Sequence, residues 1–222
     1  CDYLNPIYDL ERLIGRISYK TANPRDLISF KNSLSMIPHI KTILKEFTSP
    51  LLQHFEEELD PLTDLFELID QSILDDPPVS VRDGGMIKDG FSEEADRLRH
   101  AKTEGKTWLA ELEAKEKEKS GIKTLKVKFN KVFGYYFEVS NSFKNMVPDY
   151  FIRKQTLVNA ERYTTDELKN LEDVIMGAEE KLVSLEYDLF CQVRDQIASQ
   201  VVRIQKTAKA LAGIDVFASL ST

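Results

Sequence analysis

The chain has 222 residues, of which 42% are hydrophobic and 30% are charged, and its formal net charge is −7. This length allows one large domain or two small domains with a real core. No apolar run approaches the roughly 18 residues of a membrane-spanning helix, and the two cysteines, Cys1 and Cys191, form no disulfide framework. These features exclude membrane-spanning and disulfide-rich classes, and we expect a soluble, cytoplasmic protein.

The N-terminal part of the chain predicts a row of short helices. Asp9–Tyr19 has apolar residues at helical spacing. Asn23, Pro24 and Asp26 are typical of a helix start, because Asn caps the first turn, Pro suits the first helical position and Asp complements the helix dipole; this helix should end at Pro38. Further helices are predicted at residues 40–47, 50–58 and 62–69, followed by a loop at 75–90 with a short strand at 79–81.

Two long helices are predicted in the remaining sequence. The first runs from about Ser92 to Ser120, and the second begins after a capping box in which Thr164 is the cap and Glu167 follows three residues later. Its apolar stripe continues from Leu168 to Leu211 without proline, which predicts one uninterrupted helix roughly 70 Å long. The stripe changes its phase between residues 189 and 201, where we expect this helix to leave an antiparallel partner and enter a helical body.

Residues 122–165, between the two long helices, differ in charge and in periodicity. They hold eight basic and three acidic residues, a charge of +5, whereas the rest of the chain carries −12. Apolar and polar residues alternate in the ranges 125–130, 135–140 and 151–158, which predicts strands. The fold class predicted is mainly α, a helical bundle plus a long antiparallel coiled-coil lever that carries a small inserted antiparallel β module. The charge of that module indicates a polyanionic partner.

No catalytic or metal-binding motif stands out in the sequence. Gly105-Lys106-Thr107 is similar to the end of a phosphate-binding loop, but His100 stands where the first glycine is required and the segment is helical. The three histidines are scattered and have no cysteines at ligand spacing. We therefore predict that this chain has no metal site and is not an enzyme.

Four sequence blocks resemble the MutS family of DNA mismatch-recognition proteins. The runs LKVKFNKVFGYYFEVS and PDYFIRKQTLVNAERYTTDELKNLED resemble the clamp and the adjoining lever helix of that family. DLERLIGRISYKTANPRDL resembles the start of its lever (core) domain, and DGGMIKDGFSEEADRLR resembles the segment that opens the outgoing lever helix. The resemblance implies a helical lever domain at residues 1–105 and 167–222, and an inserted clamp at 106–166 whose β part is about 122–165.

The family's mismatch-reading domain and ATPase motifs have no counterpart in this sequence, so the chain resembles a lever-plus-clamp segment of a longer protein. The resemblance implies a non-catalytic clamp that touches the DNA backbone without reading bases, and lever helices that couple it to the absent ATPase domain. No cofactor is expected here, since ATP and magnesium would bind in that absent domain. The implied partners are double-stranded DNA and a second protomer, but no membrane, and the implied location is the bacterial cytoplasm, in association with the nucleoid.

Nine residues are the candidates for contact with the DNA backbone, because phosphates are bound by Lys, Arg and small polar donors. On the predicted strand at 151–158, Arg153 and Gln155 share one face, and Lys154 and Thr156 share the other. The other five candidates are Asn159, Asn141, Ser142, Lys144 and Lys131.

A second interpretation is a coiled-coil arm whose β tip docks another protein and makes no DNA contact. The +5 charge favours DNA, because a protein-docking tip is typically richer in mixed charge and exposed apolar anchors. Salt dependence of duplex binding distinguishes the two interpretations.

Overall fold

The computed structural model describes residues 9–220, so that Cys1 lies outside the described residues. Cys191 is a free, half-buried thiol. The chain divides into two compact units. We call the part up to Ser92 together with the part from Val183 onward the helical unit, and residues 93–182 the mixed unit. Within the described residues, no helix is long and apolar enough to cross a membrane.

The helical unit is built from short helices around one apolar core. Its core includes Phe30, Leu65, Phe190 and Ile204, which are almost fully buried. The helices are α1 (Leu10–Ser18), α2 (Pro24–Leu34), α3 (Ile37–Leu44), α4 (Pro50–Glu58), α5 (Thr63–Ser72), the second part of α7 (Asp166–Ala198) and α8 (Val201–Leu220).

The predicted start of α2 is confirmed by a reciprocal capping box. The Asn23 side chain accepts a hydrogen bond from the Asp26 amide, and the Asp26 carboxylate accepts one from the Asn23 amide. Pro38, by contrast, does not separate two helices as predicted but lies in the first turn of α3. A proline is tolerated there because the first amides of a helix have no partner within the helix. The strand predicted at 79–81 does not form; a single bridge joins Ile73 to Ile87 instead.

The last predicted helix is not continuous. It ends at Ala198, and α8 begins at Val201 after a two-residue turn in which the Gln200 amide donates to the Ile197 carbonyl. Neither proline nor glycine marks this break in the sequence. Ile197 and Ile204 both remain in the core of the helical unit, so the apolar stripe continues through the turn although the helix does not.

The mixed unit contains two helices and a four-stranded antiparallel sheet, which together with the helical unit confirms the predicted fold class. The strand order is β1-β2-β4-β3, and a 3₁₀ turn (Asn141–Met146) connects β2 toward β3. The strand at Ala160–Thr164 was not predicted as a separate element. The elements are α6 (Glu93–Ser120), β1 (Lys126–Asn130), β2 (Gly134–Ser140), β3 (Ile152–Thr156), β4 (Ala160–Thr164) and the first part of α7.

The cap of α7 is one residue later than predicted. Thr164 is the last residue of β4, and Thr165 accepts the capping hydrogen bond from the Leu168 amide at 3.1 Å. Within the mixed unit α6 and α7 approach closely at Gly105, where an added Cβ would overlap the Ile175 side chain. The glycine that looked like part of a phosphate-binding loop therefore serves helix packing.

Candidate nucleic-acid interface

One face of the sheet packs against the two helices of the mixed unit. Phe137, Val139 and Tyr163 lie on this inner face, in one apolar cluster with Leu109 of α6 and Leu168 of α7. Three of the ten buried residues of this cluster are aromatic: Phe137, Phe151 and Tyr163. The opposite, outer face of the sheet carries mainly polar side chains.

Two glutamates hold the β1–β2 hairpin on the helices. The Val127 amide donates to Glu113 of α6 at 2.9 Å, and the Tyr135 amide donates to Glu172 of α7 at 2.6 Å. Burial raises the pKa of Glu113, but hydrogen bonds from Lys117 and from the Val127 amide outweigh it and hold the pKa below its usual value. Glu113 is therefore an ionised acceptor at neutral pH, and the hairpin has a fixed attachment.

A β-bulge in β3 overturns the prediction that Arg153 and Gln155 share one face. Arg153 lies opposite Tyr163 and Gln155 lies opposite Arg162, so that Lys154 is the extra residue. Neighbouring residues of β4 point to opposite faces of the sheet. Arg153 is therefore on the inner side and Gln155 on the outer face.

The same register places Thr156 opposite Glu161, on the same side as Arg153. Glu161 accepts a hydrogen bond from the Tyr163 hydroxyl and lies 3.7 Å from the Arg153 guanidinium, which is 63% exposed. Burial, followed by the hydrogen bond to Glu161, raises the pKa of Tyr163 to about 12. Glu161, one of the three acidic residues of the segment 122–165, is therefore neutralised by Arg153.

On the outer face, Arg162 contacts side chains of two neighbouring strands. It was not among the predicted contact residues. Its guanidinium lies 4.4 Å from the centroid of the buried Tyr136 ring and donates to the Gln155 side chain at 2.9 Å. Beside it, Lys128 pairs with Glu138 at 2.6 Å. Sequence reasoning missed Arg162 because no strand was predicted at 160–164, so its face was not known.

Several cations of residues 122–165 keep their charge without an internal partner. Glu138 forms an ion pair with Lys128 and Glu161 forms one with Arg153, and the Arg162 guanidinium lies over the Tyr136 ring. The lysines of this segment that are exposed and form no ion pair with any residue of 9–220 are Lys123, Lys126, Lys131, Lys144 and Lys154. The positive charge that remains is therefore carried by side chains that are free to meet an anion.

Seven of the nine predicted contact residues fall into two groups, and Arg153 and Gln155 lie on opposite faces of β3. The structure brings five of them together around the β3–β4 turn, where Asn141 donates through its side chain to the Val158 carbonyl and through its amide to the Asn159 carbonyl. We call this group the turn cluster: Asn141, Ser142, Lys144, Thr156 and Asn159, all of which are exposed.

The second group lies at the β1–β2 loop. The Lys154 ammonium donates to the Phe133 carbonyl at 3.0 Å, which holds Lys154 against the loop that contains Lys131. The loop with Lys131 precedes β2 and Asn141 follows it, so the seven residues of β2, about 20 Å, separate these two positions, whereas Lys154 lies only two residues from Thr156 along β3. The nine candidates therefore do not form one pocket, although an extended polymer could contact both groups.

Within residues 9–220, no group of three or more His, Cys, Asp or Glu side chains is arranged to hold a metal ion.

Comparison with known proteins finds relatives along nearly the whole chain. Residues 90–181 match MutS family domain IV. The chain is 66% identical over 220 residues to the DNA mismatch repair protein MutS of Lachnoclostridium phytofermentans, 55% identical to that of Caldanaerobacter subterraneus and 52% identical to that of Acetivibrio thermocellus. The first alignment covers 99% of this chain and 24% of the relative, and the other two cover 99% and 25%. The chain thus spans about a quarter of the length of the curated relatives that it matches.

Proposed function

We propose that the mixed unit is a clamp for the backbone of duplex DNA. The premise is that the chain belongs to the MutS family, as its sequence motifs predicted. The observation that carries this proposal is the set of unpaired, exposed lysines on residues 122–165. Two of the segment's three acidic residues, Glu138 and Glu161, are already neutralised by basic neighbours. A polyanion would therefore find an uncompensated positive surface.

The proposed contact does not depend on DNA sequence. Lysine ammonium groups and the short polar side chains of the turn cluster suit phosphate oxygens, which carry no sequence information. Lys154 contributes further charge, and the exposed Arg153 is a further donor although Glu161 lies beside its guanidinium. Donors at both ends of β2, about 20 Å apart, suit the repeated phosphates of a duplex better than a single small anion.

The lever role rests on the continuity of α7. This helix begins directly after the sheet and continues through residues 182 and 183, where the chain passes into the helical unit. We infer that it transmits the state of an ATPase domain to the clamp in the longer parent protein. ATP and magnesium belong to that domain in this proposal, and the second protomer of a dimer supplies the other clamp.

Duplex binding by the 222-residue chain, measured by fluorescence anisotropy over a series of potassium chloride concentrations, tests the clamp. We expect weak binding, with a Kd at or above about 10⁻⁴–10⁻⁶ M at physiological salt, equal for a matched and a G·T duplex. Lys131→Gln and Lys144→Gln should each reduce the slope of log K against log salt by about 0.9, since each removes one phosphate contact.

Lys45→Gln is the matched control, because Lys45 is an exposed lysine of the helical unit. It should leave the slope unchanged although it removes the same charge. Absence of binding at low salt, or equal effects of Lys45→Gln and Lys131→Gln, would refute the clamp and favour the arm that docks only proteins.

A further inference from the structure

A groove lies between α6 and α7 of the mixed unit, and neither the sheet nor the proposed DNA contact uses it. Its volume is about 380 Å³. Trp108 of α6 and Val174 of α7 form its two sides and are 40% and 49% exposed, while the more buried Leu112 and Leu171 form its floor. The groove is thus an apolar strip on the outside of a helix pair.

Trp108 is the only tryptophan of the chain, and it contributes little to the packing between the two helices. The core between the helices is filled by its neighbours Leu109 and Leu112, and among residues 9–220 the indole ring has no stacking or cation partner. A large aromatic side chain left half exposed beside an apolar groove is the residue type that dominates binding energy in protein interfaces.

The two helices that form the groove carry a net charge opposite in sign to that of residues 122–165. Lys115 and Glu167 pair across the groove at 2.7 Å, and the exposed Glu111 forms no ion pair within the described part of the chain. The helical segments 93–120 and 166–182 together hold 14 acidic and nine basic residues, a charge of −5, against +5 for residues 122–165. DNA would be repelled from this strip, whereas a basic polypeptide would be attracted.

We propose that this groove is a docking site for a helix of a partner protein that presents a bulky apolar side chain flanked by Lys or Arg. A groove between two packed helices accepts a third helix through ridge-and-groove packing. The apolar side chain packs against Trp108 and Val174, and a basic residue one turn away pairs with Glu111. The partner surface is separate from the proposed DNA contact, so either proposal can fail alone.

The fluorescence of Trp108 reports whether the groove is occupied, because no other tryptophan contributes to the fluorescence of the chain. The probes are two synthetic amphipathic helical peptides with the same leucine stripe, flanked by lysine in one and by glutamate in the other. The lysine peptide should shift the Trp108 emission to the blue and bind at least about fivefold tighter than the glutamate peptide. Failure of the lysine peptide to shift the emission, or equal affinity of both peptides, overturns the proposal.

Glu111→Lys should reverse the preference between the peptides, while Glu118→Lys, at an exposed position of α6 that does not line the groove, should keep it. Equal effects of the two variants would assign the attraction to the overall helix charge and contradict a site at the groove. Circular dichroism checks that both variants fold. An emission shift when the chain alone is concentrated would assign the groove to a second copy, which also overturns the proposal.

Discussion

The Glu172 carboxylate accepts a hydrogen bond from the Tyr135 amide, with 2.6 Å between N and Oε2, and occupies the space where a side chain of Gly134 would begin. Gly134 has a φ of 72°, which residues with a Cβ seldom adopt. The glycine is therefore needed twice, for its backbone conformation and for the approach of α7. One of the two attachments of the β1–β2 hairpin, the one through Glu172, depends on this position.

Gly134→Ala should destabilise the mixed unit by about 1–3 kcal/mol, because it adds backbone strain and displaces the Glu172 carboxylate. Hydrogen exchange of the β1–β2 amides, measured against urea, locates the loss. Gly177→Ala is the control, since a Cβ at Gly177 has no neighbour within 4 Å. This helical substitution should stabilise by about 0.5–1 kcal/mol, and a similar loss for both variants would contradict the argument.

A second glycine prediction concerns the α6–α7 contact. An alanine at Gly105 would overlap Ile175, a β-branched and fully buried side chain, so Gly105→Ala should cost about 1–3 kcal/mol although alanine favours helix. Ile175→Ala removes the overlapping atoms. A double-mutant cycle by urea unfolding should therefore show that Gly105→Ala is neutral or stabilising in the Ile175→Ala background. Additive effects would show that the two residues do not share this contact.

Local patterns were sufficient to predict most helices and three strands, but β4 was missed for a physical reason. Its central residues, Glu161 and Arg162, are charged and break the apolar alternation that predicts a strand. Their charges are satisfied by residues distant in sequence, Arg153 for Glu161 and the Tyr136 ring for Arg162. Such partners become visible only when the strands are paired.

The candidate contacts were predicted by residue type more reliably than by geometry. Their exposure agrees with a solvated surface, yet the bulge at Lys154 places Arg153 and Gln155 on opposite faces. A bulge arises from the pairing of two strands and leaves no periodic signal in one of them. The break after Ala198 was missed similarly, because the apolar stripe follows the core of the helical unit and not the helix itself.

Alkaline pH should destabilise the mixed unit. Burial, then the hydrogen bond to Glu116, raises the pKa of Tyr150 to about 12, and Tyr163 is also raised to about 12. An unfolded tyrosine has a pKa of about 10, so the folded state keeps these protons to higher pH. The stabilisation is complete below about pH 10 and is lost progressively between about pH 10 and 12.

Urea unfolding at a series of pH values measures this loss, and Tyr150→Phe should make the free energy of unfolding fall less steeply above about pH 10. The hydroxyl of Tyr150 donates to the buried Glu116, so the variant should also be less stable than the wild type at neutral pH. An unchanged slope in Tyr150→Phe would show that this residue does not hold its proton more tightly in the folded state.

The proposed lever predicts that a helix break in α7 separates DNA binding from its control by nucleotide. Ser184 is the suitable position, since it is exposed and lies two residues after Leu182, at which the mixed unit ends. Ser184→Pro removes a backbone donor in the helix interior and costs about 3 kcal/mol, without removing any apolar contact of the core. Ile197, in the same helix, is fully buried, and a change there would confound coupling with folding.

In a longer MutS protein that contains this segment, the proposal predicts that Ser184→Pro keeps salt-dependent duplex binding but loses the proposed effect of ATP on the DNA dissociation rate. The measurement is that rate on an end-blocked duplex, with and without ATP, and Ser184→Ala serves as the matched control. Ser184→Ala should respond as the wild type, because alanine keeps the backbone donor. If the proline variant folds and responds to ATP as the alanine variant does, α7 is a scaffold and not a transmitter.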